Sequence, residues 1–198
     1  MDRAAKSFQC VTTNFKQTQY TAVIKDMSSP ESGTLRIKRS KTGVSAIQDF
    51  TDPEPQTVLI KGKEARVYRP KAKVLEVYDV GAHTSAVDQF LLLAFGTSGA
   101  ELRKSYDIKL AGVEKVDSVS ATRIELTPRS DEAKKLISQI ELWIPEGQSN
   151  AIREKVTEPS GNYRLISYLN INTKDVVPDS AFNLKLPKDV KTIYPQKH

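Results

Sequence analysis

Turn-forming residues recur through the first eighty positions at intervals that suit strands. Ser28-Ser29-Pro30, Lys41-Thr42-Gly43, Asp52-Pro53-Glu54-Pro55, Lys61-Gly62-Lys63 and Arg69-Pro70-Lys71 interrupt the chain at spacings of about 8–12 residues, the rhythm of hairpin-linked strands. Between the breaks the period is two. Leu35 and Ile37 alternate with Thr34, Arg36 and Lys38, as in a strand with one buried face. This pattern predicts six antiparallel strands between Gln17 and Val80.

Two stretches depart from that period. Ala4, Phe8, Val11 and Phe15 are spaced for one face of a helix. Ser85 to Phe95 carries Ala86, Val87, Phe90, Leu91, Leu93 and Ala94, with Gly96 just beyond, and reads as an apolar helix with a glycine stop. Strands then resume at Tyr106–Ala111, Val119–Leu126, Ile137–Ile144, Ala151–Glu158 and Tyr163–Ile171, with a short one at Phe182–Leu186. Asp131–Leu136 reads as one or two helical turns. Strands do not alternate with helices, which disfavours a doubly wound fold. The expected class is α+β and mostly β. It is a single large curled antiparallel sheet, an open half-barrel of about eleven strands, because sheets beyond about ten strands tend to curl. The apolar helices are expected to cover its concave face, and residues 1–198 to form one domain.

Composition narrows the function. Thirty Lys and Arg against 24 Asp and Glu give a net charge of +6. The longest unbroken apolar run is Phe90 to Phe95, far short of the ~20 residues of a membrane-spanning helix. Cys10 is the one cysteine and His83 and His198 the two histidines. HExxH, CxxC and phosphate-loop patterns do not occur, so neither an enzyme, a metal site nor a cofactor is expected. Gly96-Thr97-Ser98-Gly99-Ala100 misses the GxSxG elbow by its last glycine and reads as a helix cap and loop. His83 is placed to pair with Asp79 or to cap the helix, and Cys10 to be a structural thiol on the flank of the first helix. The clusters Arg36-Lys38-Arg39-Lys41 and Arg69-Lys71-Lys73 read as a solvated outer face, without a nucleic-acid-binding signature. Leu35 and Ile37 share a face with Arg39. Arg39 therefore points inward or to the inner rim. There it meets a helix-end carbonyl, a carboxylate or a ligand, or reaches back to water.

Several ordered strings resemble the periplasmic lipoprotein carrier family (LolA-like) from about Ala4 to Lys191. They are Gly33-Thr34-Leu35-Arg36-Ile37-Lys38-Arg39, Asp49-Phe50-Thr51-Asp52-Pro53, Gly62-Lys63 with Val67-Tyr68-Arg69-Pro70, Gln89-Phe90-Leu91-Leu92-Leu93, Leu126-Thr127-Pro128, Asp179-Ser180-Ala181-Phe182 and Pro187-Lys188-Asp189-Val190. Ser40 stands where the family has a proline, and Arg36 where it has an aromatic. The resemblance implies an open barrel with a helical lid over an apolar cavity that takes lipoprotein acyl chains. It implies a lining of Leu35, Ile37, Arg39, Phe50, Val58 and Ile60, continued by Leu75, Val77, Phe90, Leu91 and Leu93, with Arg39 as lid latch. It further implies a periplasmic monomer with its leader removed, so that Met1 is an engineered start. Its partners would be an inner-membrane lipoprotein-releasing transporter and an outer-membrane acceptor. An envelope lipid-sensing domain, or a carrier of another amphiphile such as a glycolipid or quinone, is the alternative on the same fold.

Overall fold

The computed structural model describes residue 5 and residues 7–196; Met1, Ala4 and His198 lie outside the described residues. The strands are β1 (Cys10–Thr21), β2 (Asp26–Met27), β3 (Glu31–Ser40), β4 (Gly43–Asp52), β5 (Gln56–Lys61), β6 (Glu64–Arg69), β7 (Val74–Asp79), β8 (Tyr106–Val116), β9 (Val119–Pro128), β10 (Gln139–Pro145), β11 (Arg153–Thr157), β12 (Tyr163–Asn172) and β13 (Lys191–Ile193). Ala5 and Ser7 are helical, and the helices wholly within the described residues are α1 (Thr84–Leu92), α2 (Gly99–Ser105) and α3 (Asp131–Lys134), with 3-10 turns at Gly81–His83 and Asp179–Phe182. All strands join one open sheet in the order β13-β7-β6-β5-β4-β3-β1-β12-β11-β10-β9-β8, with β2 paired to β1. The expected fold class holds: strands dominate, the sheet is single and unclosed, and helices are few.

Four expectations are corrected. The stretch around Val11 and Phe15 is strand β1, not helix. Val11, Thr13, Phe15 and Gln17 are buried at period two, and the polar Thr13 and Gln17 had hidden that period behind a helical spacing of Phe8, Val11 and Phe15. The central helix stops at Leu92, where the Phe95 and Gly96 N–H groups both donate to its carbonyl. A Cβ on Gly96 would sit 2.8 Å from the Phe8 ring, so close approach rather than a left-handed cap demands glycine here. The segment after it is not only a loop. Ser98 and Glu101 form a reciprocal capping box that starts α2. Finally, Phe182–Leu186 is not a strand. Asp179–Phe182 is a 3-10 turn, and the last strand is β13, which pairs with β7 in parallel.

The chain divides into two compact units. Among the described residues, one holds Gln9–Phe15, Glu31–Leu91 and 170–196; the other holds Ala5, 7–8, Lys16–Pro30 and Leu92–Leu169. In the first, β3 to β7 bury apolar side chains on both faces, which is why Ala46 and Ile47 of β4 are adjacent and both buried. Cross-strand register places Leu35, Ile37, Arg39, Val44, Ala46, Phe50, Val58 and Ile60 on one face. Phe15 meets Phe50 edge-on there, with ring centres 5.1 Å apart. The opposite face carries Ile47, Leu59, Tyr68, Leu75 and Val77.

In the second unit, β8 to β12 also present two unlike faces. One is a charged lattice: Arg123 lies within 3.5 Å of Glu114, Glu125 and Glu141, and Lys155 is 3.0 Å from Glu141. The indole N–H of Trp143 donates to Glu114 at 2.9 Å. The other face is apolar, with Leu126, Ile140 and Leu142 fully buried.

Candidate functional site

Most of the expected lining residues share one face of the β3–β7 unit. Leu35, Ile37 and Phe50 are buried, and Val58, Ile60 and Arg39 half-buried. Strand β3 puts Arg39 opposite Val44, and the Arg39 backbone N–H donates to the Gln9 carbonyl at 2.8 Å. Ser40 closes the following turn, its hydroxyl donating to the Gly43 carbonyl at 3.0 Å. Asp88 of α1 reaches this same turn. Its Oδ2 accepts the Val44 N–H at 3.3 Å, and partial burial pushes its acid above the ordinary carboxylate range despite that bond. Phe90 and Leu91, two and three residues on, are half-buried.

Leu75 and Val77 do not belong to that lining. Register turns both to the opposite face, where they cluster with Tyr68, Leu184 and Val190. The C-terminal segment straps this second face. Val177 and Phe182 pack against Cys10, Ile47 and Leu59, and the Cys10 thiol donates to the Asp175 carbonyl at 3.0 Å. Cys10 is thus a structural thiol, held on a strand and not on a helix flank.

Leu93 lies in the other unit and is fully buried. Phe95 follows it, its ring edge-on to Tyr168 with centres 4.8 Å apart, and the Ala94 carbonyl accepts the Ala151 N–H at 2.8 Å.

Of the basic clusters, Lys41, Lys71 and Lys73 are exposed as expected, whereas Arg36, Lys38, Arg39 and Arg69 are half-buried. Lys38 fastens the strap, donating to the Val177 carbonyl at 2.9 Å and to Asp179 at 2.7 Å; the second of these bonds holds the Asp179 carboxyl below its ordinary range. Arg36 pairs with Asp49 at 2.9 Å, which also accepts the Thr57 hydroxyl. Arg69, Lys71 and Lys73 are matched by Glu76, Glu54 and Asp189. A cleft of about 610 Å³ opens between this face and the strap, lined by Arg36, Asp49, Tyr68, Ala181 and Leu184. His83 and Asp79 both line a second cleft of about 540 Å³, where Asp79 accepts the Gly81 N–H.

Sequence reasoning missed Glu154. It is buried on the apolar face of the β8–β12 unit, and its Oε2 accepts the Tyr168 hydroxyl at 2.6 Å. Burial raises its acid to about 7, against the pull of the Tyr168 bond and the Arg164 charge. The string Arg153-Glu154-Lys155-Val156-Thr157 shows no apolar alternation, so nothing in it marked a buried side.

The class is thus an open, largely antiparallel sheet with apolar side chains on its faces and few helices. The family described as outer membrane lipoprotein carrier protein LolA matches residues 6–185, and the chain belongs to it. Among solved structures, it resembles MucB (TM-score 0.53, 14% identity, covering 93% of this chain and 61% of that one). It also resembles an uncharacterized conserved protein from Thermus thermophilus (0.53, 15%, 98% and 95%). A third likeness is the Mycobacterium tuberculosis lipoprotein LppX (0.50, 13%, 88% and 92%). The chain thus spans about six tenths of the length of MucB. At these identities the likeness is one of fold. No curated protein matches. Among the described residues no helix is long and apolar enough to cross a membrane.

Proposed function

We propose that the chain is a periplasmic carrier, acting as a monomer and a single domain, that shields lipoprotein acyl chains between the inner and outer membranes. In this role it receives them from a releasing transporter and hands them to an outer-membrane acceptor. The observation that carries this reading is the family match over residues 6–185. Leu35, Ile37, Phe50, Val58 and Ile60 on one face supply the surface for the chain. Each methylene moved there from water gains ~0.8 kcal/mol. Release needs an opposing force. Phe90 and Leu91 are the side chains to refill the space, because they follow Asp88 on α1, whose carboxylate accepts the Val44 N–H of the β3–β4 turn at 3.3 Å.

Arg39 biases the empty form, since a charge-assisted hydrogen bond contributes ~1.5–3 kcal/mol. Arg39→Leu is expected to load acyl cargo normally and to release it at least tenfold more slowly. A release rate equal to that of the unaltered protein overturns the latch. The carrier reading itself is tested by native mass spectrometry of protein taken from its own envelope, which must show bound acyl species.

A further inference from the structure

Two buried glutamates in the β8–β12 unit are treated differently. Glu141 has Arg123 at 3.4 Å and Lys155 at 3.0 Å. Glu154, 4% exposed, has a phenol on one oxygen, while its Oε1 has no partner among the described residues. Its cross-strand neighbours are Leu142 on β10 and Ile166 on β12. The titratable groups around it are Tyr168, half-buried Tyr106 at the start of β8 and the exposed Arg164. An unpaired buried acceptor is costly. A structure that keeps one has a position where an incoming polar group is rewarded and an analogue lacking that group is rejected.

Register supplies the apolar part of such a site. Leu110, Ile124, Leu142, Glu154 and Ile166 form one row across β8 to β12. The row runs from Leu110, 70% exposed at the sheet edge, through half-buried Ile124 to fully buried Leu142. Ile108 lies on the same face and is also exposed. Three strand spacings separate β8 from β11, about 14 Å. Apolar side chains left in water thus lead to a buried carboxyl with a free oxygen.

We propose that this row is a lipid subsite: Glu154, oriented by Tyr168, receives the O–H of a small uncharged head group, and the acyl chain lies toward Leu110. The ligand class is a single-chain lipid with a hydroxyl head, of the monoacylglycerol kind. Half-buried Ile166 is the side chain that parts to admit the head. The inference rests on the carrier reading but names a ligand and a site that the reading does not. Because burial holds the Glu154 acid near 7, the group both accepts and donates at neutral pH, as a hydroxyl does.

The test is displacement of a fluorescent fatty-acid analogue by 1-monopalmitoylglycerol and by methyl palmitate, which has the same chain without a donor. The double variant Glu154→Leu/Tyr168→Phe removes both polar partners together and so leaves no new unpaired group. It is expected to lower the preference for monopalmitoylglycerol over methyl palmitate at least tenfold relative to the unaltered protein, while still binding methyl palmitate. Tyr168→Phe alone is expected to lower the preference partly, and serves if the double variant does not fold. An unchanged preference in these variants, or none in the unaltered protein, overturns the subsite and leaves the carrier reading standing. Failure of both lipids to displace the probe from the unaltered protein overturns the two together.

Discussion

Glu141 and Glu154 sit on neighbouring strands, are about equally buried, and face opposite sides of the same sheet. On the charged side, Arg123 and Lys155 bring cations to Glu141. On the apolar side, Glu154 has the Tyr168 hydroxyl at 2.6 Å and otherwise Leu142 and Ile166. The difference shows that burial alone does not determine what a carboxylate does. A charge lattice turns one into structure, whereas apolar neighbours leave the other able to change its protonation near neutrality.

The largest expected effect breaks the lattice. Arg123→Met leaves Glu114, Glu125 and Glu141 around an apolar side chain, with Lys155 and Lys109 still beside two of them, and is expected to cost about 3 kcal/mol, the lower end for breaking a buried ion pair, read as a lower midpoint in urea unfolding. The second concerns pH. Folded Glu154 holds its proton up to about 7, against an ordinary 4.5, so between these values the unfolded chain loses its proton first. Stability therefore falls as pH rises through that window, by about 3 kcal/mol in all, and levels off above it. Urea titrations at a series of pH values should show the decline, and Glu154→Gln should flatten it; a decline that persists in that variant has another source. The smallest effect is Tyr168→Phe. It removes a bond that favours the charged carboxylate, so the upper end of the decline should move to higher pH, with a loss of about 1 kcal/mol. An unmoved end would mean that the phenol does not set the Glu154 protonation.

The β3–β7 unit teaches a related lesson through its two covers. Its strapped face is closed by Val177 and Phe182 and by two Lys38 hydrogen bonds. Its other face carries Arg39 and the half-buried Val58 and Ile60, and α1 is fastened at the β3–β4 turn through Asp88. Arg36 and Lys38, which alternation turns away from Leu35 and Ile37, were legible as a separate face. That this face is itself covered was not legible, because the strap arrives from about 140 residues away in sequence. The same ignorance sent Leu75 and Val77 to the wrong side, since in a strand pair buried on both faces hydrophobicity does not say which face is which.

The residues alone determined the strand-dominated class, the hairpin sequence from β3 to β7 and the common face of Leu35, Ile37 and Arg39. Each follows from a period of two, broken by turn residues, and is encoded within a few positions. The tertiary structure decided that Val11 and Phe15 lie on a strand, that β13 pairs in parallel with β7, and that Glu154 is buried beside Tyr168 with one oxygen unpaired. Those outcomes depend on which distant segment covers a given face, and that choice is made by packing, not by local pattern.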